Sequence, residues 1–454
     1  MPNESAIGQR GKAVRKTLDE KTKKSRDLAA QSSELLNMGS AASLEMPHPI
    51  LMDRAEGSRI WDADGNEYID TMLGFGLHIL GHGHPAIKEA LHERIEKGWH
   101  FGIHNPKQVP LAELLTEAAN CAERVIFCNT GTEATMYAMR VARAYTGKWK
   151  VAMFDGCYHG AHDYGMVLAD PASPRAAPDK RPMGAGVPPS TLENQVLLPY
   201  REEAAFDYIR EHKDELALVI IEPVQSSNPH LNDETKSFLH DLHAVCQAND
   251  VLFALDEVIT GFRISWGGAQ EYYDLKPDLA TYGKALGGGM PIGAVAGRAD
   301  VMALFNSMAA GDPKGIFSGG TYSGNPMSMT AGIALVSALK DNQEIYSYIN
   351  SEGDRLRERV NGFARSENMA IQMLNGGSMF QLYFQTKPIR SSRDITGENA
   401  AAEREFYLHL LNNGVLVPGT RRAFLSAAHT TDDVDQIAVA IENSLTACRE
   451  DGLL

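Results

Sequence analysis

Three short stretches hold residues whose type and spacing could do covalent chemistry on a small molecule. In TYGKALGGG, residues 281–289, Lys284 follows a strand-like run and Gly283, and soon leads into three consecutive glycines. A lysine amine in such an open setting has room to form a planar imine, and when released it can shuttle a proton; the plain alternative is a solvated surface lysine. In FALDEV, residues 253–258, Asp256 ends a strongly apolar run. A carboxylate there is costly to bury unless a cation or proton donor faces it, and a protonated ring nitrogen is such a donor. In CNTGTEA, residues 128–134, Gly131 and Thr132 stand between an apolar run and a helix-like stretch. Backbone N–H groups and a hydroxyl at a helix N-terminus can hold a phosphate, or the threonine can simply cap the helix.

A competing reading takes the apolar run before Asp256 and Glu257 as the magnesium strand of a nucleotide hydrolase. That reading needs a GxxxxGK[ST] loop. The three GK pairs, at Gly11, Gly147 and Gly283, are followed by Lys-Ala, Lys-Trp and Lys-Ala, and Ala6, Ala142 and Asp278 stand where the first glycine belongs. The nucleotide reading therefore fails.

These residues need a frame, and the chain supplies one. Apolar runs at RVIFC (124), KVAMF (150), QVLLP (195), LALVIIE (216), VLFALDE (251), DLATY (278) and AVAG (294) alternate with longer helix-like stretches. That alternation predicts an α/β fold, with a mostly parallel sheet sandwiched by helices and ligands beyond the strand carboxyl ends. A smaller α+β domain is expected from the N-terminal segment and the C-terminus. The expected boundaries are 1–75 for an N-terminal arm and segment of that small domain, 76–335 for the large domain and 336–454 for the remainder. WDADGNEYID, residues 61–70, predicts strand, tight turn, strand. The Pro/Ala/Gly-rich residues 170–190 predict a surface loop, and the mixed-charge residues 11–36 an exposed helix or partly disordered arm.

Composition narrows the function classes. The chain has 454 residues, 43% hydrophobic and 22% charged, with a formal net charge of -15. Such a balance disfavours nucleic acid and anionic lipid, which attract clustered Lys and Arg. No apolar run is long enough for a membrane span. Five scattered cysteines without a CxxC pair argue against disulfides and zinc-cysteine sites and fit a reducing cytoplasm. His82 with His84, and His159 with His162, have HxH and HxxH spacing, but no carboxylate is placed to complete a metal set. Close packing accounts for Cys157.

The stretches WDADGNEYID, ILGHGHP, FCNTGTEATMYAMRVARAYTG, FDGCYHG, VIIEPV, LDEVITGFR, PDLATYGKALGGGMPIGAVAGR, GGTYSGNPMSMTAG and LSAAHTTDDVD carry a resemblance that covers nearly the whole chain. Together they resemble the class III aminotransferases of fold type I, dependent on pyridoxal 5'-phosphate (PLP), and within them the glutamate-1-semialdehyde 2,1-aminomutase branch. The resemblance implies that Lys284 forms a Schiff base with PLP and that Asp256 pairs with the pyridine nitrogen, which favours the electron-withdrawing pyridinium. Gly131 and Thr132 would take the phosphate, Tyr158 would stack on one face of the ring, and Val258 would pack on the other. His159 would border the cofactor, and Glu222 would approach the ring hydroxyl. Thr321 would reach the phosphate from a neighbouring subunit, which implies a homodimer with sites at the interface.

Departures from the family pattern bear on the substrate. Ser40 stands where the aminomutases carry a carboxylate-binding arginine, and Phe75 stands where they carry tryptophan. After Glu222 the run EPVQSSNPH puts Ser227 where relatives that use ornithine or 4-aminobutyrate have a gating glutamate. Arg421 and Arg422 could supply a carboxylate clamp or form a surface pair. The expectation is an aminotransferase that moves an amino group from an amino acid or amine, of β- or ω-amino type, to a keto acid or aldehyde by a ping-pong mechanism. The alternatives are intramolecular aminomutase chemistry and an inactive PLP-fold binding subunit.

Overall fold

The computed structural model describes residues 7–36, 48–307, 311, 313–397, 399–418 and 421–454. Ser40 lies outside the described residues. The chain divides into two compact units, one of residues 85–346 with 390–393, the other of residues 1–84, 347–389 and 394–454. The sequence placed these breaks at 75/76 and 335/336. A break at 335 would cut the helix Pro326–Asp341, which packs as one piece on the helices Pro85–Ile95 and Gln108–Ala118.

All seven apolar runs form strands of one sheet in the larger unit: β1 (Arg124–Cys128), β2 (Lys150–Phe154), β3 (Gln195–Leu198), β4 (Leu216–Ile221), β5 (Leu252–Asp256), β6 (Leu279–Tyr282) and β7 (Gly293–Gly297). Their order across the sheet is β1-β7-β6-β5-β4-β2-β3. β5 runs parallel to β6 and β4, and β2 parallel to β4 and β3. β7 is antiparallel to both β6 and β1. The cause is the short link from Tyr282 to Gly293, which holds only a 3-10 turn over Lys284–Gly287. A parallel return would need a crossover of a dozen or more residues, usually with a helix.

Every side chain of β4 is fully buried. That burial explains its unbroken apolar sequence, because a strand covered on both faces has no polar alternate. Truncating Ile220 to Ala in this setting costs about 2 to 5 kcal/mol. Helices flank the sheet: Gly131–Thr146 packs on β7, β6 and β4, and Asp233–Ala248 packs on β5. Residues 170–190, expected as a surface loop, contribute more order than that. Val167–Ala169 pairs with Lys180–Pro182 as a short antiparallel ribbon, and Pro189–Glu193 is helical. Here the Pro and Gly residues punctuate short elements rather than abolish them.

The smaller unit is α+β. WDADGNEYID forms the expected antiparallel pair, with Trp61 opposite Glu67 and the turn held by the Asp62 carboxylate, which accepts from the N–H groups of Asp64 and Asn66. Met379–Tyr383 pairs with Gln372–Gly376 and Ala423–Phe424. Ala400–Asn412 and Thr431–Glu450 are helices whose Phe406, Leu410, Ile437 and Ile441 enter one apolar core. The N-terminal arm is two helices, Gln9–Lys21 and Lys23–Ser32, and Leu18 on the first is buried. Among the described residues no helix is long and apolar enough to cross a membrane.

Candidate active site

The carboxyl ends of β1, β2, β4, β5 and β6 deliver the predicted residues of the larger unit. Asp256 ends β5 and lies opposite Thr281 of β6 in register. The Asp256 carboxylate is buried, and its Oδ1 accepts from the Thr281 hydroxyl at 2.9 Å and from the Val258 N–H at 3.1 Å. Its Oδ2 meets His159 Nδ1 at 2.7 Å. An ionised carboxylate has about four acceptor positions, so three partners leave room for one more donor. His159 is itself buried, and its Nε2 has no hydrogen-bond partner. Since Nδ1 faces a carboxylate, it carries a proton, and a buried carboxylate held this way is poised to keep a neighbouring cation or N–H.

Beyond β1, the helix Gly131–Thr146 is capped by Thr130, whose hydroxyl accepts from the Glu133 N–H at 3.1 Å. The capping role open to Thr132 in the sequence thus belongs to its neighbour. Ala134 N–H bonds to the Thr130 carbonyl. The N–H groups of Gly131 and Thr132 have no acceptor among the described residues, as expected at a helix N-terminus, where the backbone attracts an anion. Gly131 has no room for a side chain: a Cβ there would lie 2.8 Å from Val258 Cγ1. Gly283 packs against the same valine, at 3.3 Å for an added Cβ, so Gly131, Val258 and Gly283 form one bare, closely packed floor.

Lys284 lies two residues past β6 and has φ 42, a left-handed backbone that costs a non-glycine residue of order 1 kcal/mol.

The segment after β2 is held from several sides. Glu222, buried at the end of β4, accepts at Oε2 from the Tyr158 N–H at 3.1 Å and from the Ser226 hydroxyl at 3.2 Å. Gln225 Nε2 donates to the Asp155 carbonyl at 2.9 Å, and Ser227 Oγ donates to the Gly156 carbonyl at 3.0 Å. The Tyr158 side chain stays 43% exposed, so a ring laid on it would cover surface that is open in the chain. Cys157 is buried, and burial pushes its thiol well above the ordinary range, away from nucleophilic use.

One histidine of each spaced pair meets a carboxylate. His159 meets Asp256, and in the smaller unit His82 Nε2 meets Asp70 Oδ2 at 2.6 Å. These are one-to-one pairs, and the described residues contain no group of three or more candidate ligands.

Three predicted substrate residues, Phe75, Arg421 and Arg422, belong to the smaller unit. Phe75 has φ 64 within a run of left-handed residues, Leu73 to Gly76. Arg421 Nε pairs with Glu403 Oε1 at 2.9 Å and lies over the Tyr407 ring. Sequence reasoning missed Thr281, Ser226 and Gln225. Thr281 was within reach, since a lone hydroxyl at a polar register position of a buried strand needs an acceptor on the next strand.

The match to known proteins fits this geometry. Residues 40–443 match the family model for class-III aminotransferases. The chain belongs to the class III aminotransferase family. It is 38% identical over 426 residues to a glutamate-1-semialdehyde 2,1-aminomutase of Methanobrevibacter smithii, covering 93% of this chain and 98% of that one. Among solved structures it is similar to an omega-transaminase from Sphaerobacter thermophilus, with TM-score 0.87 and 31% identity over 94% of this chain and 98% of the other. It is also similar to a transaminase with PLP bound, with TM-score 0.82 and 30% identity over 95% and 99% of the two chains. The class III aminotransferases are PLP enzymes of fold type I, the fold that the sequence implied.

Proposed function

We propose that this class III aminotransferase holds PLP on Lys284 and moves an amino group between two small molecules. The single observation that carries the cofactor assignment is the buried Asp256 carboxylate, braced by His159 and Thr281 with one acceptor position to spare. The residues fit PLP in kind: two bare N–H groups for a phosphate at Gly131 and Thr132, a glycine floor under Val258, and an exposed Tyr158 face. Bound there, PLP would supply an aldehyde for the amine and a ring that draws away the electron pair left when the substrate proton departs.

The chain's own part is positioning and proton transfer. Lys284 Nζ would hold the cofactor and, once released, would carry the proton between the amine-bearing carbon of the substrate and the cofactor carbon that held the aldehyde oxygen. Asp256 keeps the proton on the ring nitrogen, with His159 Nδ1–H and the Thr281 hydroxyl stabilising its charge. Glu222 orients the Tyr158 backbone. Borohydride trapping with peptide mapping tests the assignment: the label belongs on Lys284, and a label on another lysine, or on none, removes the cofactor reading.

Two finer readings divide the relatives. Transfer from an external β- or ω-amino donor to a keto acid or aldehyde has the support of the omega-transaminase likeness and of Ser227, which stands where relatives that use ornithine or 4-aminobutyrate have a gating glutamate and whose hydroxyl is engaged with Gly156. Intramolecular aminomutase chemistry has the support of the curated relative at 38% identity, the stronger sequence likeness of the two. Departures at Ser40 and Phe75 favour the external donor. Incubation of the pyridoxamine form with glutamate 1-semialdehyde decides: 5-aminolevulinate without any acceptor establishes the aminomutase, and its absence together with turnover of an amine and keto acid pair establishes the transaminase.

The reading includes a homodimer. Its support is a concavity of about 800 Å3 lined by Phe101, Ile103, Val109 and Thr321, with Ile103 78% and Val109 60% exposed. Apolar surface of this kind, gathered round the residue proposed to act in trans, suits an interface. Mixed dimers of Lys284→Ala and Thr321→Ala subunits should recover activity that neither parent has.

A further inference from the structure

The second histidine of YHGAH has no place in the chemistry above, yet its surroundings are built with care. The Gly165 N–H is shared between the His162 carbonyl at 2.8 Å and His162 Nδ1 at 3.2 Å, and a ring nitrogen that accepts even a shared N–H carries no proton. The proton of the neutral ring is therefore on Nε2, which faces Thr135 Oγ1 at 3.1 Å and donates to it. With that lone pair taken, the Thr135 hydroxyl turns its own hydrogen to the His159 carbonyl, the nearest acceptor at 2.6 Å. Its helical alternatives, the carbonyls of Gly131 and Thr132, lie farther away at 3.2 and 3.1 Å. Every link in this chain has one direction: Gly165 N–H to His162, His162 to Thr135, Thr135 to His159. Burial, aided by the nearby His159, lowers the His162 pKa to about 4, which keeps the ring in the neutral form that the chain requires.

The chain joins two pieces of the site. Thr135 is 1% exposed in the first turns of the helix that begins at Gly131 and Thr132. His159 lies on the segment that carries Tyr158 and grips Asp256. A second tie runs alongside, since Thr132 Oγ1 accepts from the Ala161 N–H at 3.2 Å. We propose that Thr135 and His162 are positioning residues for the cofactor, locking the phosphate-holding turn to the ring-holding segment so that both ends of PLP are gripped at a fixed separation. The proposal rests on the assignment of Gly131 and Thr132 to the phosphate and Asp256 to the ring nitrogen. A two-ended grip gains from rigidity because the second contact costs no further ordering once the first is made.

Titration of apoenzyme with PLP, read by equilibrium dialysis and cofactor fluorescence, tests this. Thr135→Val keeps the shape and removes the hydroxyl; it should raise the PLP dissociation constant by about tenfold, the worth of one good buried hydrogen bond. His162→Phe should do the same, and the double variant should bind no worse than about either single one, because both break one chain. Thr135→Ser should bind like the parent, and kcat at saturating PLP should change far less than affinity. An unchanged dissociation constant in Thr135→Val, equal losses in Ser and Val variants, or multiplying effects in the double variant would each overturn the proposal. Should Thr135→Val fail to fold, His162→Phe against His162→Gln, which retains a donor, decides in its place. Thr132→Val and Asp256→Asn separate the two levels: if they too bind PLP like the parent, the cofactor assignment has failed, and if they alone lose it, only the lock has.

Discussion

At the end of β5, Asp256 and Glu257 follow one another in extended chain, so their side chains leave on opposite faces. Both are buried carboxylates with several hydrogen bonds. Asp256 draws on side chains from two other segments, His159 and Thr281, and on the backbone N–H of Val258, and retains one acceptor position. Glu257 is enclosed by its own downstream turn: it accepts from the Thr260 hydroxyl at 2.5 Å, from the N–H groups of Ala269 and Gln270 at 2.9 Å each, and from Gln270 Nε2 at 3.4 Å. Gly268, with φ +73, lies against it so closely that an added Cβ would be 2.7 Å from Oε2. Burial still pushes the Glu257 carboxyl above its ordinary value despite these bonds. On the proposed function one carboxylate meets the cofactor, and its neighbour is used up in closing a turn. A list of contacts would rank them alike; the unfilled acceptor position tells them apart.

The largest effect expected from breaking this contrast falls on activity. Asp256→Asn should lower kcat/KM by about a thousandfold, as when a charge that stabilises the transition state is removed, with a small change in Tm. Glu257→Gln should do the reverse in kind, leaving turnover of the folded enzyme near the parent. A loss of turnover in both, with PLP still bound, would show that the two carboxylates work as one unit.

Stability carries the next effect. Glu257→Ala leaves two backbone N–H groups and a threonine hydroxyl buried without an acceptor, at a cost of about 3 kcal/mol in urea unfolding. Asp256→Ala should cost less, because it strands one backbone N–H, that of Val258, where Glu257→Ala strands two.

The difference between these neighbours was only half legible in the sequence. The seven strands were readable because each is a short apolar run between helix-length segments, and β4 is apolar without interruption since both its faces are covered. Lys284, Asp256, Gly131 and Thr132 stood out because each is a polar or bare residue where such a strand ends. What could not be read was partnership across the sheet. Thr281 reaches Asp256 by strand register, His162 reaches Thr135 across 27 positions, and Thr130 rather than Thr132 caps the helix because the helix begins two residues earlier. The boundary at 84/85 was missed for a similar reason, since residues 79–84 belong to the smaller unit, tied there by the His82–Asp70 pair and not by their composition.

A third buried carboxylate, Glu405 in the smaller unit, sharpens the contrast through pH. It holds the Gly8 N–H at 2.6 Å and so fastens the N-terminal arm, whose next residues bond to Asp451. Burial, with the neighbouring Asp451 adding to it, raises its pKa from 4.5 to about 7. The folded state therefore binds this proton more tightly than the unfolded chain does. Its stabilising effect is complete below about 4.5 and is lost as pH rises through about 7, by at most about 3 kcal/mol in all. Unfolding midpoints measured from pH 4.5 to 8 should fall over that window, and Glu405→Gln should flatten the fall.

The smallest effect belongs to Ser227, on the side of the sheet where Asp256 acts. Its hydroxyl donates to the Gly156 carbonyl at 3.0 Å, two residues before Tyr158. Ser227→Ala should cost about 1 kcal/mol of stability, the net worth of one such bond, and loosen the segment beneath the tyrosine. If the serine only braces that segment, KM for amine donor and for keto acid should rise together and by less than about threefold, because the same loosened wall serves both half-reactions. If it discriminates between the two substrates as a gate would, one KM should move and the other should not. The ratio of the two values, measured with the cofactor saturating, separates a brace from a gate without requiring that either substrate be the natural one.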